Sequence, residues 1–201
     1  NIFPPQSRET DTLIIAPETP TLLKLIRPAW KHHHRVTVAA STTSAGKLAG
    51  LQPEQPHELL MKSGADVVIV EADGARHHMI KAPAAHEPAI PTHTNVALLM
   101  LSAEAINQPL NSEIAHRPER IAAILSMNQG EILTPIRIAN LVLNEQGTLK
   151  HIPETTAAYL LITHATHDRQ ASIQEIAAIV QSSPRITAVY YSTQPAEWFA
   201  L

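Results

Sequence analysis

The run Asp66-Val67-Val68-Ile69-Val70 constrains this chain more than any other stretch. An apolar, β-branched segment with no polar alternation is the pattern of a strand buried on both faces, as the middle strand of a parallel sheet must be. The other segments can be arranged around it. Leu13-Ile14-Ile15 reads as a short strand, and Thr19-Pro20 supplies a cap and a first-turn proline ahead of the amphipathic stretch from Leu22 to Ile26. Arg35 to Ala39 alternates and is β-branched, a second strand, and Ser41 to Gly46 is small and polar, a loop or hairpin. Gln52 to Met61 comes next as a helix stopped by Gly64.

The second half continues the alternation. Val96 to Leu101, Tyr159 to Ile162 and Ile186 to Tyr191 read as strands. Helices open at Pro118 and Pro135, each with proline in the first turn, and a third carries the capping box Ser172-Ile173-Gln174-Glu175 with Ile173, Ile176, Ile179 and Val180 on one face. Strands alternating with helices predict an α/β fold, a mostly parallel sheet with helices on both faces, over one domain spanning residues 1–201.

Composition narrows the chemistry. With no cysteine, disulfides, thiolate metal sites and thiol nucleophiles are excluded, which fits a cytoplasmic protein. A net charge of −3 with 16% charged residues gives no general basic field for nucleic acid or an anionic membrane, and no run has the length of a membrane span. Sixteen prolines against six glycines mean many rigid turns and few glycine loops. The densest group lies between Ala82 and Pro91, which cannot be a regular element and reads as a shaped loop.

In a parallel sheet, ligands collect beyond the carboxyl ends of the strands. There the run 66–70 delivers Glu71-Ala72-Asp73-Gly74-Ala75-Arg76, two carboxylates at i and i+2 with a turn-forming Asp-Gly and an arginine behind them. Acids in that position hold Mg²⁺ in many phosphate-handling enzymes, although an Asp-Gly after a strand is more often simply a turn. His116-Arg117-Pro118-Glu119 places a cation pair at a helix start, either an anion grip or a cap region paired to nearby glutamates.

Other chemistries fail on their patterns. Ser44-Ala45-Gly46-Lys47 imitates a phosphate loop, but the leading glycine is replaced by Ser41 and the metal-binding hydroxyl by Leu48. No Gly-x-Ser-x-Gly elbow occurs. Of the twelve histidines, seven form groups, at 32–34, at 77–78 and at His164 with His167, and the last pair has no third ligand at recognisable zinc spacing.

The string Val70-Glu71-Ala72-Asp73-Gly74-Ala75-Arg76, followed by Lys81-Ala82-Pro83-Ala84-Ala85-His86-Glu87-Pro88-Ala89-Ile90-Pro91, resembles the signature of the YqeC family of selenium-dependent hydroxylase accessory proteins. Gly46 to Leu51, His116 to Glu119, and Leu149-Lys150 with Pro153 extend the likeness. The resemblance implies a P-loop NTPase-like fold and an association with maturation of selenium-dependent molybdenum hydroxylases. Such proteins open with a strand, a Gly-Lys-Thr loop and a helix. This chain opens at Asn1-Ile2-Phe3-Pro4-Pro5, which looks like the segment just after that strand, so the fold is expected to be incomplete at its N-terminus. Two further departures are Thr163 to Thr166, where a base-reading Asn-Lys-x-Asp stretch would stand, and His77 to Ile80, where the family is more basic.

The expectation is therefore an accessory protein whose complete form binds ATP or GTP with Mg²⁺. Glu71 and Asp73 would act as the catalytic and metal-holding acids, and Gly74, Arg76, Lys81, His86, Glu87, His116 and Arg117 would line the phosphate or ligand site, with His86 and Glu87 facing a pocket walled by the Pro-rich loop. Its partners would be a molybdenum hydroxylase or the proteins that mature its cofactor. The alternative is a non-catalytic assembly or cofactor-delivery module that uses the acidic turn and the Pro-rich loop as a contact surface.

Overall fold

The structure is a computed structural model that describes residues 2–201. Asn1, at which the expected N-terminal incompleteness begins, lies outside the described residues. The chain divides into two compact units, the first made of residues up to Ala72 with Ile90–His93, the second of Asp73–Ala89 with Thr94–Leu201.

In the first unit, β1 (Thr12–Ile15) and β2 (Val36–Ala39) pair in parallel, with Thr12 opposite Val36 and Ile15 opposite Ala39. The connecting helix α1 (Thr19–Ala29) starts at its early proline and buries Leu22 and Ile26. These side chains join Ala16 and Leu59 in a small core, flanked by Ile14, Leu23, Trp30, Val36, Val38 and Leu51. β3 (Ser41–Thr42) and β4 (Leu48–Ala49) form the expected hairpin, closed at Gly46, whose φ of 72° suits a residue without Cβ. Helix α2 (Gln55–Ser63) ends at Gly64 in the left-handed conformation, as the sequence predicts. Its last carbonyls need outside partners. Arg27 donates twice to the Lys62 carbonyl, and the Trp30 indole donates to that of Ser63.

The central strand expected at Asp66–Val70 does not form. No strand is assigned there, and Val67, Ile69 and Val70 are 71%, 90% and 40% exposed. β-Propensity measures how well a side chain fits a pleated, half-buried surface, so it acts only where a neighbouring strand supplies that surface. Within this unit β1 and β2 pair only with each other, and the apolar run has no partner.

The second unit holds the larger sheet. β5 (Ile80–Lys81) pairs in parallel with β7 (Ala115–His116), Lys81 standing opposite His116. β6 (Val96–Ser102), β8 (Ala157–Thr163) and β9 (Ala188–Gln194) are parallel, and β10 (Glu197–Ala200) folds back antiparallel on β9, an addition the sequence did not announce. The order is β10-β9-β8-β6. Helices α3 (Pro118–Leu125), α4 (Pro135–Leu143) and α5 (Gln170–Gln181) complete the unit, and α4 packs along α5.

Two expectations are corrected here. Coverage of both sheet faces does not hold, because Ala97, Leu99 and Leu101 of β6 are buried whereas Val96, Leu98 and Met100 are exposed. An apolar β6 sequence cannot reveal which alternate set will lack a cover. The capping box at Ser172 is also not used. A 3₁₀ turn at His167–Arg169 runs straight into α5, so Ser172 already lies inside the helix, where its backbone has intrahelical partners.

Candidate functional site

The site grows from the short β5–β7 ladder. Lys81 leaves β5 beside the Asp73–Gly74 segment, and its ammonium donates to the Gly74 carbonyl at 2.9 Å, forms an ion pair with the Asp73 carboxylate, and reaches Glu87 at 3.4 Å. Beyond Lys81 the chain enters the Pro-rich stretch, which turns so that Glu87 accepts the Ala84 amide at 3.1 Å. The Glu87–Pro88 peptide bond is cis.

Arg117, at the end of β7, closes the arrangement from the opposite strand. Its guanidinium forks onto Glu87 with contacts of 2.6 and 3.1 Å and also donates to the Ala82 carbonyl at 3.3 Å. Bidentate pairing of this kind fixes geometry as well as adding energy. The backbone of Arg117 is left-handed, φ 64°, and the turn carries the chain into Pro118, the first residue of α3. From further along the chain Lys150, only 5% exposed, donates to the carbonyls of Ala84 and Ala85 at 2.5 and 3.1 Å, while the His151 ring lies 3.2 Å from the Pro88 carbonyl. Two acids and two bases thus neutralise one another, and the loop they hold is pinned at both ends.

Electrostatics express the same pairing. Burial pushes the Glu87 carboxyl upward, but the Arg117 hydrogen bond, the Ala84 amide and the charges of Lys81 and Arg117 outweigh it and hold it at about 2. The same contacts raise Arg117, chiefly through its hydrogen bond to Glu87. His116 is lowered, first by burial and then by Arg117, Arg76, Lys81 and His78. Its ring stacks at 5.6 Å on that of His78, whose nitrogens lie against the carbonyls of Ala75 and Ser112.

Several candidate residues are brought together and others are not. Asp73, Gly74, Lys81, Glu87 and Arg117 form the network, and His116 adjoins it. The turn expected at Asp73-Gly74 falls instead at Arg76-His77, both left-handed with φ of 51° and 64°, while the Gly74 carbonyl and the Asp73 carboxylate engage Lys81. Arg76 is exposed, and so is Glu71, which belongs to the first unit. His86 does not face a pocket: its side chain is 82% exposed, 3.8 Å from Glu87.

Lys150, an anchor of the loop, is absent from the candidate residues of the sequence, although Leu149-Lys150 belongs to the stretches that carry the resemblance. As placed, both acids of the network are paired with cations rather than free to hold Mg²⁺. Asp73 is neutralised by Lys81 and Glu87 by Arg117, and among the described residues no group of three or more His, Asp or Glu is placed to hold a metal ion. Among the described residues no helix is long and apolar enough to cross a membrane.

Fold and site together define an α/β protein with a loop braced by interlocked ion pairs. A family profile described as YqeC protein matches residues 1–119, and the chain belongs to that family. The match takes in Asp73, Lys81, Glu87 and Arg117 and stops short of Lys150. The chain is also similar to the "Uncharacterized protein YqeC" of Escherichia coli (strain K12), 30% identical over 109 residues, which is 54% of this chain and 43% of that protein. The chain thus matches less than half the length of that curated relative. No solved structure matches.

Proposed function

We propose that this chain is the non-catalytic, ligand-binding part of an accessory protein for selenium-dependent molybdenum hydroxylases, and that it receives a phosphate-bearing ligand beside the braced loop. The hydroxylase association rests on the family resemblance, and the observation that supports a non-catalytic role is the mutual pairing of Asp73, Lys81, Glu87 and Arg117. Carboxylates already paired to cations are poor metal ligands and poor general bases, whereas a rigid loop is a good contact surface. Arg76, exposed and near His116, supplies a cation for an anion beside the loop.

Binding of ATP or GTP with Mg²⁺ is the second reading, favoured by the family resemblance. Calorimetric titration of Mg-ATP and Mg-GTP, followed by phosphate-release assays, separates the two. The non-catalytic reading expects anion binding weakened by Arg76→Ala, with no phosphate release. Magnesium-dependent turnover that Asp73→Asn abolishes would overturn it.

A further inference from the structure

His78 is held through both nitrogens of its ring. Nδ1 lies 2.9 Å from the Ala75 carbonyl, within its own turn, and Nε2 lies 3.1 Å from the Ser112 carbonyl, in the segment leading into β7. A neutral imidazole has one N–H, and its other nitrogen is an acceptor that meets a carbonyl oxygen lone pair to lone pair. Only the imidazolium, a donor at both nitrogens, satisfies the two contacts together. The segments so joined carry Arg76 on one side and His116 and Arg117 on the other, all within the second unit.

The groups around the ring decide where a proton goes. His116 of β7 stacks on His78 at 5.6 Å and is lowered by burial and then by Arg117, Arg76 and Lys81, which leaves His78 as the ring of the pair that charges first. Arg76 and His77 on the turn oppose a charge on His78, Glu113 beside Ser112 favours one, and Lys81 of β5 and Arg117 are offset by Asp73 and Glu87. We propose that His78 is a pH-operated latch: the protonated ring ties the Ala75–His78 turn to Ser112, and loss of the proton releases the longer of its two ties, the one at Ser112. The turn itself persists, because the His78 amide also donates to the Ala75 carbonyl at 3.0 Å. Imidazole suits such a switch, since its charge ordinarily changes between about pH 5 and 8. Because the turn carries Arg76, the latch regulates the anion site proposed above and in that respect rests on that reading.

Long-range ¹H–¹⁵N spectra of the full chain follow the His78 ring through a pH series, and backbone amide shifts follow Glu113 and Ile114. The two amides should move with the midpoint of the His78 ring, and the neutral ring should keep its proton on Nδ1. In His78→Phe, which leaves a ring against His116 but has no donor, that amide movement should vanish while far-UV circular dichroism matches the parent. The parent spectra need no variant to fold. Sulfate, a tetrahedral dianion throughout the series, should bind at least threefold more tightly at about pH 5.5 than at about pH 8, and His78→Phe should at least halve that ratio. A His78 midpoint without matching movement at Glu113 and Ile114, a neutral ring protonated on Nε2, or the same amide movement in His78→Phe would overturn the latch. Sulfate binding with an unchanged ratio in His78→Phe would overturn its regulatory role, and no sulfate binding at any pH would remove the anion-site reading on which that role rests.

Discussion

Strand β8 and the run Asp66–Val70 are written in similar residues and meet opposite fates. Ala157–Thr163 lies between β6 and β9, hydrogen-bonded along both edges, and buries Leu160 and Ile162 completely. Asp66–Val70 is at least as β-branched, yet it has no ladder and presents Ile69 to solvent. The difference lies in the neighbours. A strand is a relation between segments, and side-chain burial rather than propensity decides whether apolar sequence stabilises the fold.

Substitutions should reproduce that contrast. The largest effect is expected at the β8 end of it, where Leu160→Ala leaves a cavity and lowers stability by about 2–5 kcal/mol in urea unfolding. A loss below about 0.5 kcal/mol, the range of an ordinary surface change, would mean that the sheet core is not the stabilising element.

Next comes the brace, polar where β8 is apolar. Glu87→Gln leaves Arg117 and Lys81 without their shared carboxylate, a cost of about 2–3 kcal/mol, below that of a fully buried pair because these side chains are about one-fifth exposed. The pH dependence has a fixed sign. The Glu87 carboxyl sits at about 2 in the folded protein against 4.5 as its ordinary value, so below about pH 5 the unfolded chain binds more protons. The stabilisation is present above that pH and declines as pH falls toward 2. Glu87→Gln should flatten this part of the profile, and an unchanged acid limb would remove Glu87 as its source.

Lys150→Met is expected to cost about 1–2 kcal/mol, the worth of two donated hydrogen bonds, and to raise amide exchange in residues 84–88. Unaltered exchange there would show the loop to be held without this anchor. The smallest effect closes the comparison. Ile69→Ala should change stability by less than about 0.5 kcal/mol, and a loss matching that of Leu160→Ala would show the two segments to be energetically alike.

Part of the ion-pair network is legible in the sequence. Lys81, Glu87 and Arg117 lie in motifs that stand out in the sequence, and proline density marked 82–91 as a shaped loop. Pairing was not legible. Asp73 and Lys81 are separated by a left-handed turn at Arg76-His77, and Glu87 meets Arg117 across the β5–β7 ladder, so charges read as ligand-facing turned out to face one another. Lys150 stands in a stretch that carries the resemblance, but its task is set by the carbonyls of Ala84 and Ala85 far away in sequence.

The sequence by itself determined what is local. Proline at the first turns of α1, α3 and α4, glycine at the close of α2 and in the β3–β4 hairpin, and strand–helix alternation act through φ preferences and side-chain period within a few residues. Tertiary structure alone decided which apolar segments found partners, which sheet face stayed open and which charges cancelled. Those outcomes depend on groups distant in the chain coming within bonding distance, and neither burial nor ion pairing exists until they do.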